Sequence, residues 1–269
     1  MMYGGKRKMY DFHLHSNVSF DSTEEPVEIV KAAERLNLKE ICFTDHYDYN
    51  SEKDKHHDLF TIEKYDMAYG DLCSKKLKIR RGIEFGLTTW NKMELNNFLD
   101  KGAFDFVIGS IHYVGGFDPY YKEFWDDMGF EDAINKYMIQ TLECVKIHDN
   151  FDVLGHLTYV CKSIYNPTKS GISYSAINDF TDQIFKILID KGKGIEVNTS
   201  GIDRIGDYLP TIDFVKRFRE LGGEIITVGS DAHDRNRVGQ YVNDAICMIG
   251  EVFPYVCTFE KRKPIFHKI

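Results

Sequence analysis

Short apolar or β-branched runs alternate along the chain with stretches whose apolar residues recur at helical spacing. The runs that read as strands are Lys8–Leu14, Glu40–Thr44, Ile79–Phe85, Phe104–Ile111, Phe151–His156, Gly194–Asn198 and Glu224–Gly229. Between them, Val27–Leu36 sets Val27, Val30, Ala33 and Leu36 on one helical face and Glu28, Lys31 and Glu34 on the other. Pro26 suits the first turn of that helix, where a missing N–H costs nothing. Ala133–His148 and Ala176–Lys191 repeat the amphipathic spacing, and Gly192 and Gly222 follow helices where a left-handed cap residue is expected. Seven β-then-α units with apolar strands predict an α/β fold, a parallel sheet covered by helices and closed into a barrel. In such barrels the chemistry gathers at the C-terminal ends of the strands.

Length agrees with that reading, because 269 residues fit the roughly 250 of a single α/β barrel. No linker or repeat divides the chain, so residues 1–269 are expected to form one domain. A hydrophobic share of 43% with 14% aromatic residues excludes disorder. Asp and Glu outnumber Lys and Arg by 42 to 34, and the net charge of -8 argues against a nucleic-acid scaffold. The 6 cysteines are scattered without a C-x-x-C pair, the pattern of small buried hydrophobes in a reducing compartment. No apolar run approaches the roughly 18 residues of a membrane span. The basic start, Met1 to Lys8, has no apolar stretch of the signal-peptide kind. A cytoplasmic protein with no membrane partner is expected.

The strand ends carry the chemistry. They read Asp11-Phe12-His13-Leu14-His15, Phe43-Thr44-Asp45-His46, Gly82-Ile83-Glu84, Gly109-Ser110-Ile111-His112, Leu154-Gly155-His156 and Val228-Gly229-Ser230-Asp231-Ala232-His233. Of the 10 histidines, only His56, His57, His148 and His267 lie elsewhere. A lone histidine at a strand end is more often a hydrogen-bonded structural residue than a ligand. Six separate segments that deliver His or a carboxylate to the same end of one barrel are a metal centre. His13 and His15 stand two apart, so both rings share a face and can share an ion. Imidazole mixed with carboxylate suits Zn, Mn or Fe, whereas Mg or Ca would want oxygen alone. With about four ligands per ion, these residues and Asp21 suffice for two or three ions. Glu84 can bridge two of them through its two oxygens.

These motifs, met in order over roughly residues 9 to 240, resemble the PHP superfamily of metal phosphoesterases. The resemblance implies a distorted seven-stranded β/α barrel. It implies one ion held by His13, His15, Glu84 and Asp231, and a second by Glu84, His112 and His156. A third would take His46, His233 and Asp21, the last standing where some relatives have histidine. Two further segments, Gly155-His156-Leu157-Thr158-Tyr159-Val160-Cys161-Lys162 and Glu196-Val197-Asn198-Thr199-Ser200-Gly201-Ile202-Asp203-Arg204, resemble the histidinol-phosphate phosphatase branch. In that branch the Arg usually stands one position earlier; here Asp203 intervenes.

The activity implied is hydrolysis of a small phosphate monoester, L-histidinol phosphate, by a hydroxide bridging two ions. Lys162 and Arg204 would meet the phosphoryl oxygens, with Arg235 and Arg237 as weaker candidates. A metal-bound water, Asp231 or His233 could pass a proton to the leaving alkoxide. Asp48, Glu52, Asp54 and Asp58 could approach the substrate amine, and Phe117-Asp118-Pro119-Tyr120-Tyr121 with Phe124-Trp125 could wall the organic part. Rival readings are a phosphoesterase of the same scaffold for nucleotides or short oligonucleotides, an amidohydrolase, and an inactive metal-binding relative. The first lacks a basic stripe with interleaved aromatics. Amidohydrolases usually show one late Asp and often a bridging Lys, against Glu84 with both Asp231 and His233 here. A degenerate copy would have lost ligands.

Overall fold

A computed structural model describes residues 8–49, 59–126 and 128–269. Its strands are β1 (Tyr10–Leu14), β2 (Glu40–Phe43), β3 (His46–Tyr47), β4 (Lys78–Gly86), β5 (Phe106–Ser110), β6 (Val153–Leu154), β7 (Gly194–Asn198) and β8 (Ile226–Gly229). All pair in parallel in the order β1-β2-β4-β5-β6-β7-β8. The short β3 resumes the line of β2 further along β4, where His46 stands opposite Glu84. Between β8 and β1 there is no full ladder. Asp231 N donates to His13 O and His15 N to Ala232 O, each at 2.9 Å. The barrel therefore has seven strands, nearly closes, and is distorted at β1, whose register slips between Asp11 and Leu14. The expected architecture holds.

The covering helices are α1 (Pro26–Arg35), α2 (Ile62–Tyr69), α3 (Lys92–Leu99), α4 (Lys122–Trp125), α5 (Phe130–Ile147), α6 (Asn178–Asp190), α7 (Ile202–Ile205), α8 (Ile212–Glu220) and α9 (Val242–Ile249). The buried face of α1 differs from the expected one. Pro26, Ile29, Val30 and Ala33 form its stripe, while Val27 and Leu36 are 46% and 45% exposed. Pro26, Ile29 and Ala33 stand three and four apart, so they share a face that Val27 lies off. Gly192 and Gly222 adopt the left-handed conformation anticipated for them.

A hairpin, β9 (Tyr255–Glu260) and β10 (Lys263–Lys268), closes the N-terminal end of the barrel. Phe259 packs on Phe106, with ring centroids 4.8 Å apart, and His267 stacks on Tyr10 at 4.3 Å. Arg262 Nε donates to Asp152 Oδ2, which also accepts from Val107 N. With that end plugged, the opposite end is left for the site. Cys42, Cys144, Cys161 and Cys257 are buried as expected of small hydrophobes, but Cys73 and Cys247 are exposed on the outer layer. No helix among the described residues is long and apolar enough to cross a membrane.

Candidate metal centre

Parallel strands deliver their C-terminal residues to one rim, and there Glu84, fully buried, becomes the hub. Its Oε1 lies 2.7 Å from His156 Nε2 and 3.2 Å from His112 Nε2. Its Oε2 lies 3.0 Å from both His13 Nε2 and His46 Nδ1, and 3.5 Å from His15 Nε2. The two oxygens thus divide the histidines into two sets. Burial pushes the Glu84 carboxyl up, but the neighbouring His13, His112 and His46 outweigh it and hold it well below the usual carboxylate range. Ser110 Oγ donates to Oε1 at 2.6 Å and fixes the carboxylate plane.

Asp231 reaches the same centre from beyond β8. Lys162 Nζ and Ser200 Oγ donate to its Oδ2 at 2.9 and 3.0 Å, which leaves Oδ1 for the rings of His15 at 3.3 Å and His13 at 3.7 Å. Its backbone φ of 55° is left-handed, a conformation Asp tolerates better than most residues. Burial raises its carboxyl, but Lys162 and then His13 hold it well below the ordinary value. Asp21 Oδ2 sits 2.9 Å from His233 Nε2 and 3.5 Å from His46 Nε2. Gly229 is required here because a Cβ at that position would collide with His13 Cβ and Glu196 Oε1.

These groups fit divalent metal ions. Ligands about 2.1 Å from a tetrahedral ion stand about 3.4 Å apart, close to the separations just given. The His15 ring lies 4.2 Å from that of His46 and 4.1 Å from that of His233, and His15 Nε2, His46 Nδ1 and His233 Nε2 make no hydrogen bond. Burial and then the His233 and His46 rings drive His15 well below its normal value, so it stays neutral. Buried imidazole nitrogens and carboxylate oxygens gathered this closely are a donor set that a cation would hold together. Compatible ligand triplets are His13-His15-Glu84, Glu84-His112-His156 and His15-His46-His233 among others.

A layer behind the rings aims them. Glu196 Oε1 lies 2.6 Å from His13 Nδ1, Asp48 Oδ2 2.8 Å from His112 Nδ1, and Ser19 Oγ 3.2 Å from His15 Nδ1. Such partners on Nδ1 fix the tautomer that leaves Nε2 free for an ion. Asp45 does not join the centre. It accepts from Ser16, Ser19 and Tyr69, and through Ser19 it anchors the His15 ring. Glu196, Ser19 and Ser110 were not singled out in the sequence. A carboxylate in the middle of the otherwise apolar β7 was the signal available for Glu196.

The cavity above the centre holds about 350 Å³ and is lined by Phe20, Asp118, Tyr120, Tyr121, Tyr159 and Lys162 beside the ligand residues. Arg204 stands beside the lining without belonging to it, its Nη2 donating to Tyr120 OH at 3.3 Å. Arg235 is not brought to the cavity, because its guanidinium is engaged by Glu24 and Glu28 of the α1 entrance; Arg237 likewise pairs with Asp203. Asp48 turns toward His112 instead of a ligand amine. Glu52, Asp54, Asp58, His56 and His57 lie outside the described residues. Phe124 and Trp125 pack into the core, 2% and 8% exposed, and do not wall the pocket. His148 Nε2 donates to Thr88 O at 2.7 Å from a buried position, and His267 serves the hairpin.

A buried carboxylate hub ringed by histidines at the mouth of a seven-stranded barrel defines a metal-dependent phosphoesterase. The family model for the PHP domain matches residues 11–200, and the chain belongs to that family. It is 31% identical to a probable histidinol-phosphatase of Clostridium acetobutylicum over 94% of this chain and 98% of that one. To the histidinol-phosphatase of Lactococcus lactis subsp. lactis it is 32% identical, over 95% and 96% of the two chains. The crystal structure of the Lactococcus histidinol phosphate phosphatase, complexed with zinc, L-histidinol and phosphate, superposes with a TM-score of 0.82 at 30% identity over 96% of this chain and 99% of that one. A structure from Listeria monocytogenes, 19% identical with a TM-score of 0.72, shares the fold. Within the PHP family the chain thus stands on the histidinol-phosphatase branch.

Proposed function

We propose that the protein hydrolyses L-histidinol phosphate to L-histidinol and inorganic phosphate, with the whole chain acting as one barrel domain. The observation that carries this reading is the Glu84 hub with histidines on both of its oxygens, opening into a cavity that also holds Lys162. The similarity to the Lactococcus enzyme supports the choice of ester. His13, His15, Glu84 and Asp231 would hold one divalent ion, Glu84, His112 and His156 a second, and His46, His233 and Asp21 a third, each of them zinc, manganese or iron. Such ions supply Lewis acidity to the phosphoryl oxygens and lower the proton affinity of a water.

The chain's own groups do the rest. Lys162, 2.9 Å from Asp231, sits at the cavity wall where it offsets the charge of the ester dianion. Arg204 stands beside the same space. Asp231 begins ionised, so its Oδ1 accepts a proton from the attacking water and returns it to the alkoxide as the P–O bond breaks. His233, 27% exposed to the cavity, holds Asp21 in place. The lining of Tyr120, Tyr121 and Phe20 excludes water from the organic part. A small phosphate ester fits a cavity of about 350 Å³; a polynucleotide does not.

The test is phosphate release by metal-loaded protein from L-histidinol phosphate, an aryl phosphate, a nucleoside bisphosphate and a short oligonucleotide at matched concentration. A kcat/KM for histidinol phosphate at least a hundredfold above the others is expected. Preference for either nucleotide substrate would discard the assignment and keep the centre.

A further inference from the structure

Among the described residues four carboxylates line the cavity, and three of them are spoken for. Asp21 faces His233 and His46, Asp48 faces His112, and Asp231 faces Lys162 and two histidines. Asp118 is different. Among the described residues it makes no ion pair, and its Oδ1 accepts only from Tyr120 N at 2.7 Å and Tyr159 OH at 3.1 Å. Neutral donors on one oxygen leave the other, Oδ2, without a partner in the wall of the pocket. The Tyr159 side chain touches both Asp118 and the metal centre, its hydroxyl on Asp118 and its ring 5.0 Å from the His156 ring and 5.4 Å from that of His112. Asp118 is therefore one side chain removed from the place where a phosphoryl group would sit.

We propose that Asp118 is the specificity-determining residue of the pocket, its Oδ2 receiving the ammonium of a 2-amino alcohol phosphate ester. The assignment rests on the phosphatase reading above and deepens it. In such an ester the amine lies four bonds from phosphorus, on the carbon next to the one that bears the ester oxygen. A phosphoryl group at the centre hence leaves the ammonium in the same cavity, whose wall Asp118 and Tyr159 share. Burial pushes the Asp118 carboxyl up, and a cation brought to it relieves that cost. A cluster with surplus metal charge attracts any phosphate ester, so it cannot tell an amino ester from a plain one. A lone carboxylate in the wall can, because only the amino ester satisfies it.

The experiment compares wild type with Asp118→Asn, which keeps an acceptor for Tyr120 N and Tyr159 OH but removes the charge. Each is assayed on two matched pairs: L-histidinol phosphate against its deamino analogue, 3-(imidazol-4-yl)propyl phosphate, and 2-aminopropyl phosphate against propyl phosphate. The quantity read is the ratio of kcat/KM for the amino ester to that for its partner. A charge-assisted contact predicts that the substitution lowers this ratio by about ten- to a hundredfold in both pairs, through KM. A ratio that does not move in either pair, whether activity is retained or falls equally on both esters, overturns the proposal. If wild type ignores the imidazole-bearing pair, the histidinol assignment fails. The smaller pair then still decides on Asp118.

Discussion

Glu196→Gln isolates the layer behind the ligands from the ligands themselves. Both Glu196 oxygens accept: Oε1 faces His13 Nδ1 at 2.6 Å, and Oε2 takes His156 N at 3.0 Å and Asn198 Nδ2 at 3.2 Å. Glutamine keeps the shape but has one acceptor and one donor. With its NH₂ toward His156 N, two donors meet inside the protein, where Glu196 is 1% exposed. Turned the other way, the NH₂ meets His13 Nδ1 and forces the ring to carry its proton on Nε2, the atom that faces Glu84. In the first orientation the contact behind His13 loses its charge, and in the second it is inverted. Hydrogen bonds to a charged group contribute about 1.5–3 kcal/mol, and loss of such a partner typically costs ten- to a hundredfold in metal affinity. The two scales agree, since one decade is about 1.4 kcal/mol.

The assay is a chelator-buffered zinc titration of activity, with kcat measured again at saturating metal. The expected result is an affinity weaker by about ten- to a hundredfold, with most of kcat recovered at high zinc. An unchanged zinc affinity would refute the role given to Glu196. A low kcat with normal metal affinity would place the residue in the chemistry instead.

Three further perturbations test other parts of the reading. Glu84→Gln removes the hub and should reduce turnover to background while the chain still unfolds cooperatively; near-normal activity would sink the bridging assignment. Arg204→Ala should raise KM for phosphate esters several-fold and leave kcat close to normal, whereas an unchanged KM would leave Arg204 as a partner for Tyr120 alone. His148 is fully buried, and its pKa is lowered by burial, so it resists a proton that the unfolded chain accepts near pH 6.5. Its contribution to stability is present above that pH and lost as pH falls below it; in urea titrations His148→Gln should flatten the decline between pH 7 and 5, and an identical slope would refute it.

The strands were legible because both of their faces are buried, which leaves a continuous apolar run. For β7 the expected and observed bounds coincide at Gly194 and Asn198. For β6 the regular strand is only Val153 and Leu154, although the backbone bonds continue on either side, Asp152 N donating to Val107 O at 2.8 Å and Gly155 N to Gly109 O at 3.0 Å. The hairpin of β9 and β10 was not foreseen. Its turn places Lys261 and Arg262 at φ of 50° and 63°, where Asn-Gly is the usual signal, and its charged residues hide the alternation. Among the site residues, those at strand ends announce themselves by repetition across six segments. Glu196, Ser19 and Asp48 do not, since a residue behind a ligand has no motif beyond its contact, and contacts exist only once the chain is folded. Arg235 followed a conspicuous motif, yet Glu24 and Glu28 compete for it from the α1 entrance, a pairing that sequence separation concealed.

The two ends of the barrel divide the labour for an electrostatic reason. At the mouth the rings of His15, His46 and His233 crowd together, and Glu84, Asp231 and Asp21 are kept ionised by the histidines and Lys162 beside them; such a buried polar set carries a cost in desolvation. It therefore needs a scaffold whose stability is secured elsewhere. The hairpin provides it at the far end, where Phe259 and Phe106 pack and Arg262 and Arg80 satisfy Asp152, Glu40 and Glu260. Arginine–carboxylate pairs meet where the fold must be firm, and histidine–carboxylate sets that an ion can enter meet where ions and a phosphate ester would be held. A mouth whose carboxylates were closed by arginines, as at the far end, would leave no ligand atoms for an ion.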